Sequence, residues 1–164
     1  MGGGAGASLV KEGSGTLTLS GNNTFTGGTT VNAGMLVVNG SLPGTVTVNA
    51  GGVLGGSGTL GGLVVAGGIV GPGNSIGTLN INGNFSQSGG VYQVEVNAAG
   101  QSDRINATGT ATIGGGATVQ VLAQAGTYAT STTYTILTAN GGVSGTYAGV
   151  TSNYAFLTPS LSYD

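Results

Sequence analysis

The chain has 164 residues, of which 37 are Gly and 3 are Pro, and it has no Cys, His or Trp; two cations and four carboxylates leave a formal net charge of −2. With a mean hydropathy of +0.30 it lacks the low hydropathy and high charge that keep chains disordered, and it has neither the strict Gly-X-Y period nor the Pro of collagen. One Lys and one Arg cannot neutralise a run of phosphates, which excludes nucleic acid as a partner; without His or Cys, neither a Ser-His-Asp nor a Cys-His site can be assembled.

No apolar stretch is long enough for a membrane helix, because Gly, Thr and Asn break every run. Met1-Gly2-Gly3-Gly4 has neither the basic region nor the apolar core of a signal peptide. Gly at position 6 breaks the myristoylation pattern.

Along the chain, short β-branched runs alternate with Gly and Asn turns, and no segment carries a helical period. The predicted strands are Thr16–Leu19, Met35–Val38, Thr45–Val48, Leu63–Val65, Thr78–Ile81, Val91–Val96, Ile105–Ala107, Thr110–Ile113, Thr118–Leu122, Tyr134–Leu137 and Tyr154–Leu157. In Thr45-Val46-Thr47-Val48 the valines share one face and the threonines the other, so the run has one buried and one wet side.

These strands belong to a longer repeating unit. Asn32-Ala33-Gly34-Met35-Leu36 matches Asn49-Ala50-Gly51-Gly52-Val53-Leu54 at an offset of 17 (49 − 32), and Ala66-Gly67-Gly68-Ile69-Val70 follows at 16 (66 − 50). Looser echoes are Ser88-Gly89-Gly90-Val91 and Gly115-Gly116-Ala117-Thr118-Val119. A period near 20 residues predicts a solenoid in which each repeat is one coil. Stacked coils place equivalent side chains above one another, so columns of like charge would repel while Thr, Ser and Asn can stack and hydrogen-bond. The scarcity of charge follows from stacking, and Gly supplies the corners.

Gly126–Thr133 is polar, and Tyr128, Tyr134, Tyr147, Tyr154 and Tyr163 fall in the last third of the chain. The strands are expected to lengthen there and the Gly-Gly turns to become irregular. The predicted organisation is therefore regular coils over 1–113 and an irregular β cap over 114–164, since an open solenoid end invites edge-to-edge association.

The segment from Lys11-Glu12-Gly13-Ser14-Gly15-Thr16-Leu17-Thr18-Leu19 through Asn32-Ala33-Gly34 resembles the passenger-associated repeat of bacterial autotransporters, the type V secretion family. Gly71-Pro72-Gly73-Asn74-Ser75-Ile76-Gly77-Thr78-Leu79 is a second familiar motif of such passengers, and Tyr154 through Pro159-Ser160-Leu161-Ser162-Tyr163-Asp164 looks like the stretch before their membrane barrel. The resemblance implies a right-handed parallel β-helix displayed on the bacterial surface through an outer-membrane barrel. It places the chain in the C-terminal autochaperone region, a monomeric folding module. Its partners are then the upstream passenger coils and the C-terminal barrel of one parent chain. The alternative is an adhesive segment that contacts host cells or other passengers.

No catalytic, cofactor-binding or metal-binding residue emerges. Asp103-Arg104 reads as a loop entering the strand Ile105–Ala107, and Glu95 as a solvated residue facing out with Gln93. Lys11, the one candidate for Ser-Lys catalysis, falls at an N-terminus expected to fray. Gly55-Gly56-Ser57-Gly58-Thr59-Leu60 has the glycines of a calcium β-roll but Leu where Asp is needed. Asn22, Asn84 and Asn106 open N-x-Ser/Thr triplets, which chance supplies in so polar a chain. The pairs Thr16/Thr18 and Thr45/Thr47 raise the idea of an ice-binding Thr ladder, but Met35-Leu36-Val37 and Leu63-Val64-Val65 lack the pair.

Overall fold

The computed structural model describes residues 4–163. Met1, Gly2 and Asp164, with the readings that rest on them, lie outside the described residues. Fifteen strands and no helix are present among the described residues: β1 (Leu9–Lys11), β2 (Thr16–Leu19), β3 (Thr29–Val31), β4 (Gly34–Val38), β5 (Ser41–Val48), β6 (Gly52–Gly56), β7 (Thr59–Pro72), β8 (Thr78–Ile81), β9 (Phe85–Val96), β10 (Arg104–Ala107), β11 (Ala111–Ile113), β12 (Thr118–Ala123), β13 (Leu137–Ala139), β14 (Val143–Ser144) and β15 (Gly149–Ser152). All the strand pairs are parallel. Parallel neighbours cannot be joined by a hairpin; here the chain returns by completing a coil. The all-β parallel solenoid expected from the sequence is the fold observed.

Each coil visits up to three faces. The first carries the start of β5, the start of β7, then β8, β10 and β13. The second carries β1, β3, the end of β5, the middle of β7, the start of β9, β11 and β14. The third carries β2, β4, β6, the end of β7, the end of β9, β12 and β15.

Alternation along each strand turns these registers into ladders. On the third face Leu17, Leu36, Leu54, Val70, Tyr92, Val119 and Val150 stack in one inward column. On the second, Val46, Leu63, Phe85 and Ala111 do the same, with the large ring of Phe85 set against the small Ala111. On the first, Leu42, Leu60, Ile81 and Ala107 complete the core. Almost all these side chains are buried, each stabilising the fold by about 1.5–3 kcal/mol where it is Val, Leu, Ile or Phe.

The repeat offsets read from the sequence are the registers of the middle coils: Thr29 lies under Val46 (46 − 29 = 17) and Val53 under Ile69 (69 − 53 = 16). The looser echo also holds, since Val91 pairs with Thr118. Coils then widen, with Val91 to Thr118 spanning 27 (118 − 91) and Ala111 to Val143 spanning 32 (143 − 111). The added length sits largely at one corner, between the third face and the first, where the connection grows from 39–40 and 57–58 through 73–77 and 97–103 to 124–136.

Gly115 shows why the corners need glycine. Its φ is +62°, and a Cβ there would collide with the Ser88 carbonyl of the neighbouring coil.

Several expectations are corrected. Tyr154–Leu157 is a turn, closed by the Leu157 amide on the Tyr154 carbonyl at 3.1 Å. Only Leu137 of Tyr134–Leu137 is in a strand; before it, Thr135 O accepts from Arg104 Nε, and Ile136 O accepts both from the Ile105 amide and from the Tyr92 hydroxyl. Strands do not lengthen toward the end; β7 and β9 have 14 and 12 residues, β13 to β15 only 3, 2 and 4. In β7 the chain rounds its corners without leaving the ladder, whereas the long late loops interrupt it.

Lys11 is not frayed. It is 7% exposed, inward in the column that continues through Val31, and its Nζ donates to the carbonyls of Glu12 (2.8 Å), Gly13 (2.7 Å) and Ala33 (3.0 Å).

Candidate functional site

Four regions of the solenoid collect polar or chemically distinctive groups. The first is the tyrosine cluster. Tyr92 is fully buried in the third-face ladder, and its hydroxyl donates to the Ile136 carbonyl at 2.6 Å. Tyr147, from the turn between β14 and β15, packs beside it with ring centroids 6.4 Å apart and places its hydroxyl 3.4 Å from Gln87 Oε1. The Tyr147 amide in turn donates to the Tyr163 hydroxyl at 2.9 Å. Tyr134 donates to the Asn97 carbonyl at 2.7 Å, and the Tyr128 hydroxyl sits between the carbonyls of Gln124 and Val96. Burial pushes the phenols of Tyr92 and Tyr147 well above their ordinary range, so both remain protonated donors. The cluster thus fastens the late loops to the core through backbone carbonyls.

The two ends of the stack differ. Beyond β15 the chain turns back, and Tyr154, Leu157 and Leu161 pack against the core. Phe156 stacks on Tyr154 at 5.1 Å but stays 71% exposed. At the other end, among the described residues, β1 pairs only with β3 and β2 only with β4, and Val10 is 56% exposed. Glu12 opens a polar column there: its Oε1 accepts from Asn32 Nδ2 at 2.6 Å, and Asn32 Oδ1 from Asn49 Nδ2 at 2.8 Å.

The third region is Asp103. Its carboxylate is 2% exposed and accepts from the backbone amides of Gly77 (2.9 Å) and Glu95 (2.8 Å). Its own amide donates to Glu95 O at 2.8 Å, and that of Arg104 to Gly77 O at 3.0 Å. The side chain therefore holds loop 97–103 to β9 and to the end of loop 73–77. Burial raises its pKa to about 6, although the two amide bonds act in the opposite direction. Read as an ordinary loop residue in the sequence, it is a buried clamp; no local signal marks it, because its partners lie 8 and 26 residues away. Glu95 is half-buried on the outward side with Gln93, as expected, and Gln93 Nε2 donates to Gln120 Oε1 at 2.8 Å. A groove of about 310 Å³ lies against this corner, floored by Gly71 and bounded by Met35, Pro72 and Glu95.

The fourth region is a polar groove of about 480 Å³ on the first face, lined by the outward side chains of β8, β10 and β13 and by Arg104. Asn106, the start of one glycosylation triplet, belongs to it and accepts from the Thr138 hydroxyl at 2.7 Å. Asn22 and Asn84 do structural work: Asn22 bridges to Ser41, and Asn84 Oδ1 caps the Thr110 amide at 2.9 Å.

The threonine pairs do not align. Thr16 and Thr18 stack on Met35 and Val37 of the third face, while Thr47 lies between Thr30 and Val64 on the second. Gly55 and Gly56 end β6, and Thr59 and Leu60 open β7. Among the described residues no three acidic side chains converge as a metal cluster would require.

No curated protein matches the chain. Residues 9–38, which are β1 to β4 with the turns between them, match the passenger-associated transport repeat, so this solenoid carries a secretion-associated repeat typical of autotransporter passengers.

Proposed function

We propose that the chain is a folding and stability module of an autotransporter passenger, displayed at the bacterial surface, on which the upstream coils of the parent chain form. The observation that carries this reading is the packing at the end beyond β15. Tyr154, Leu157 and Leu161 pack back onto the core there, whereas among the described residues β1 pairs with β3 alone and β2 with β4 alone. A coil needs a neighbour to pair with, so a stack closed at one end grows from the open one, each added coil gaining ladder contacts and hydrogen bonds. In this reading residues 114–164 serve as the cap and residues 1–113 as the regular coils, and a membrane barrel of the same parent anchors the closed end. The match at 9–38 supports the secretory setting.

Two measurements test the proposal. The 164-residue chain is expected to unfold in one cooperative transition, with slow hydrogen exchange in β7 and β9. Added in trans, it is expected to raise the refolding yield of an upstream passenger fragment. A chain without protected amides, or one that leaves the yield unchanged, defeats the reading.

A further inference from the structure

The polar groove on the first face is built from stacked polar side chains. Its centre is an outward column in register, Thr59, Asn80, Asn106 and Thr138. Asn82 and Asn140 flank it, and both are exposed with Asn80 and Thr138. Four strands at the sheet spacing span ~14 Å, the length of a short oligosaccharide. Amide and hydroxyl side chains offer both donors and acceptors, which suits a ligand dense in hydroxyl groups. Leu79, Ile81, Ile105 and Ala107 alternate inward and are buried, so the outward column is polar, while Ile81 and Ala107 also border the groove.

Arg104 sets the charge of the site. Its Nε donates to the Thr135 carbonyl at 3.2 Å, which fixes the guanidinium and leaves both terminal nitrogens to a ligand. Among the described residues no carboxylate lines the groove. A guanidinium fork of this kind matches a planar carboxylate in bidentate fashion. A lone cation selects a sparsely charged ligand over a polyanion.

We propose that this groove binds a short uronate-containing oligosaccharide, Arg104 taking a sugar carboxylate and the Asn80–Asn106 column the hydroxyls. The site is independent of the folding role, since none of these side chains belongs to the tyrosine cluster or to the open end.

The test is an NMR titration of the 164-residue chain with galacturonate and glucuronate trisaccharides, cellotriose and inorganic sulfate. At least one uronate trisaccharide is expected to shift the amides of β8, β10 and β13, with cellotriose and sulfate at least about tenfold weaker, a difference of 1.4 kcal/mol. Arg104→Gln is expected to abolish the preference for the acidic sugar. Asn82→Ala, at an exposed position, is expected to weaken binding with the thermal midpoint unchanged. The proposal fails if neither uronate shifts these amides at about 10 mM, weaker than any useful affinity. It fails equally if the shifts lie elsewhere, if cellotriose or sulfate binds as well, or if both variants bind like the parent chain.

Discussion

Tyr92 and Tyr147, 55 positions apart in the sequence (147 − 92), meet inside the stack with ring planes inclined at 39°. One belongs to a regular ladder and the other to the last coil, so the contact joins the end of the solenoid to its middle. Removing the Tyr147 ring opens a cavity beside a fully buried side chain. Tyr147→Ala is expected to cost about 3–5 kcal/mol, in the range of large aromatic truncations. Tyr92→Phe loses only the bond to Ile136 O, which still accepts from the Ile105 amide at 2.9 Å, and is expected to cost about 1 kcal/mol. Urea unfolding of the two variants checks both values; equal costs would mean that the hydroxyl rather than the ring carries the contact.

Neighbouring positions on β5 separate the two sides of a ladder. Val48 is fully buried, between Val31 and Val65, whereas Thr47 faces outward between Thr30 and Val64. Val48→Asp places a charge in the core without a partner and is expected to abolish folding, whereas Thr47→Asp is expected to cost about 1 kcal/mol or less. Circular dichroism and thermal midpoints of the pair measure the difference.

Asp103 gives stability a pH dependence of unusual sign. Its folded pKa of about 6 lies above the ordinary 3.8, so between these values the folded chain binds more protons than the unfolded one. Stability from this group is then largest below pH 3.8 and falls as pH rises through 6, by at most about 3 kcal/mol. Urea midpoints between pH 4 and 7 are expected to show this decline, and Asp103→Asn to flatten it. The variant also turns an amide donor toward one of the two backbone N–H groups, so it should start from lower stability at pH 4.

The turn before β12 contrasts two glycines. Gly115 has positive φ and would drive a Cβ into Ser88 O, whereas a Cβ on Gly114 meets nothing within 4 Å. Gly115→Ala is expected to cost at least about 2 kcal/mol through strain and collision. Gly114→Ala is expected to stay within about 0.5 kcal/mol. Thermal denaturation of the two single variants decides; matching midpoints would mean that the corner relaxes freely.

The sequence was most legible where one side of a strand is apolar and the other is not. Thr16–Leu19 and Thr78–Ile81 were located to the residue, and the offset of 17 appears directly as strand register. Gly52–Gly56 was missed because glycines have no side to display, and Leu9–Lys11 and Thr29–Val31 because Lys11 and Thr29 are buried polar residues that break the alternation. The polar groove was hidden for a related reason. Asn80, Asn106 and Thr138 lie 26 and 32 residues apart (106 − 80; 138 − 106), wider than the close repeats at 16 and 17, and only the register brings them into one column.

The growing corner loops have an energetic consequence. The chain segment that must be closed to seat β14 on β11 is nearly twice that which seats β5 on β3 (32 against 17 residues, from 143 − 111 and 46 − 29). Closing a loop of twice the length costs about 0.6 kcal/mol more in chain entropy. The widest coil is therefore the most expensive to nucleate, and the coils from β1 to β7, closed over 16 (69 − 53) to 20 (29 − 9) residues, are cheaper. The entropic hurdle stands at the end where the tyrosines gather, and their buried hydroxyls and rings supply the local stabilisation that offsets it.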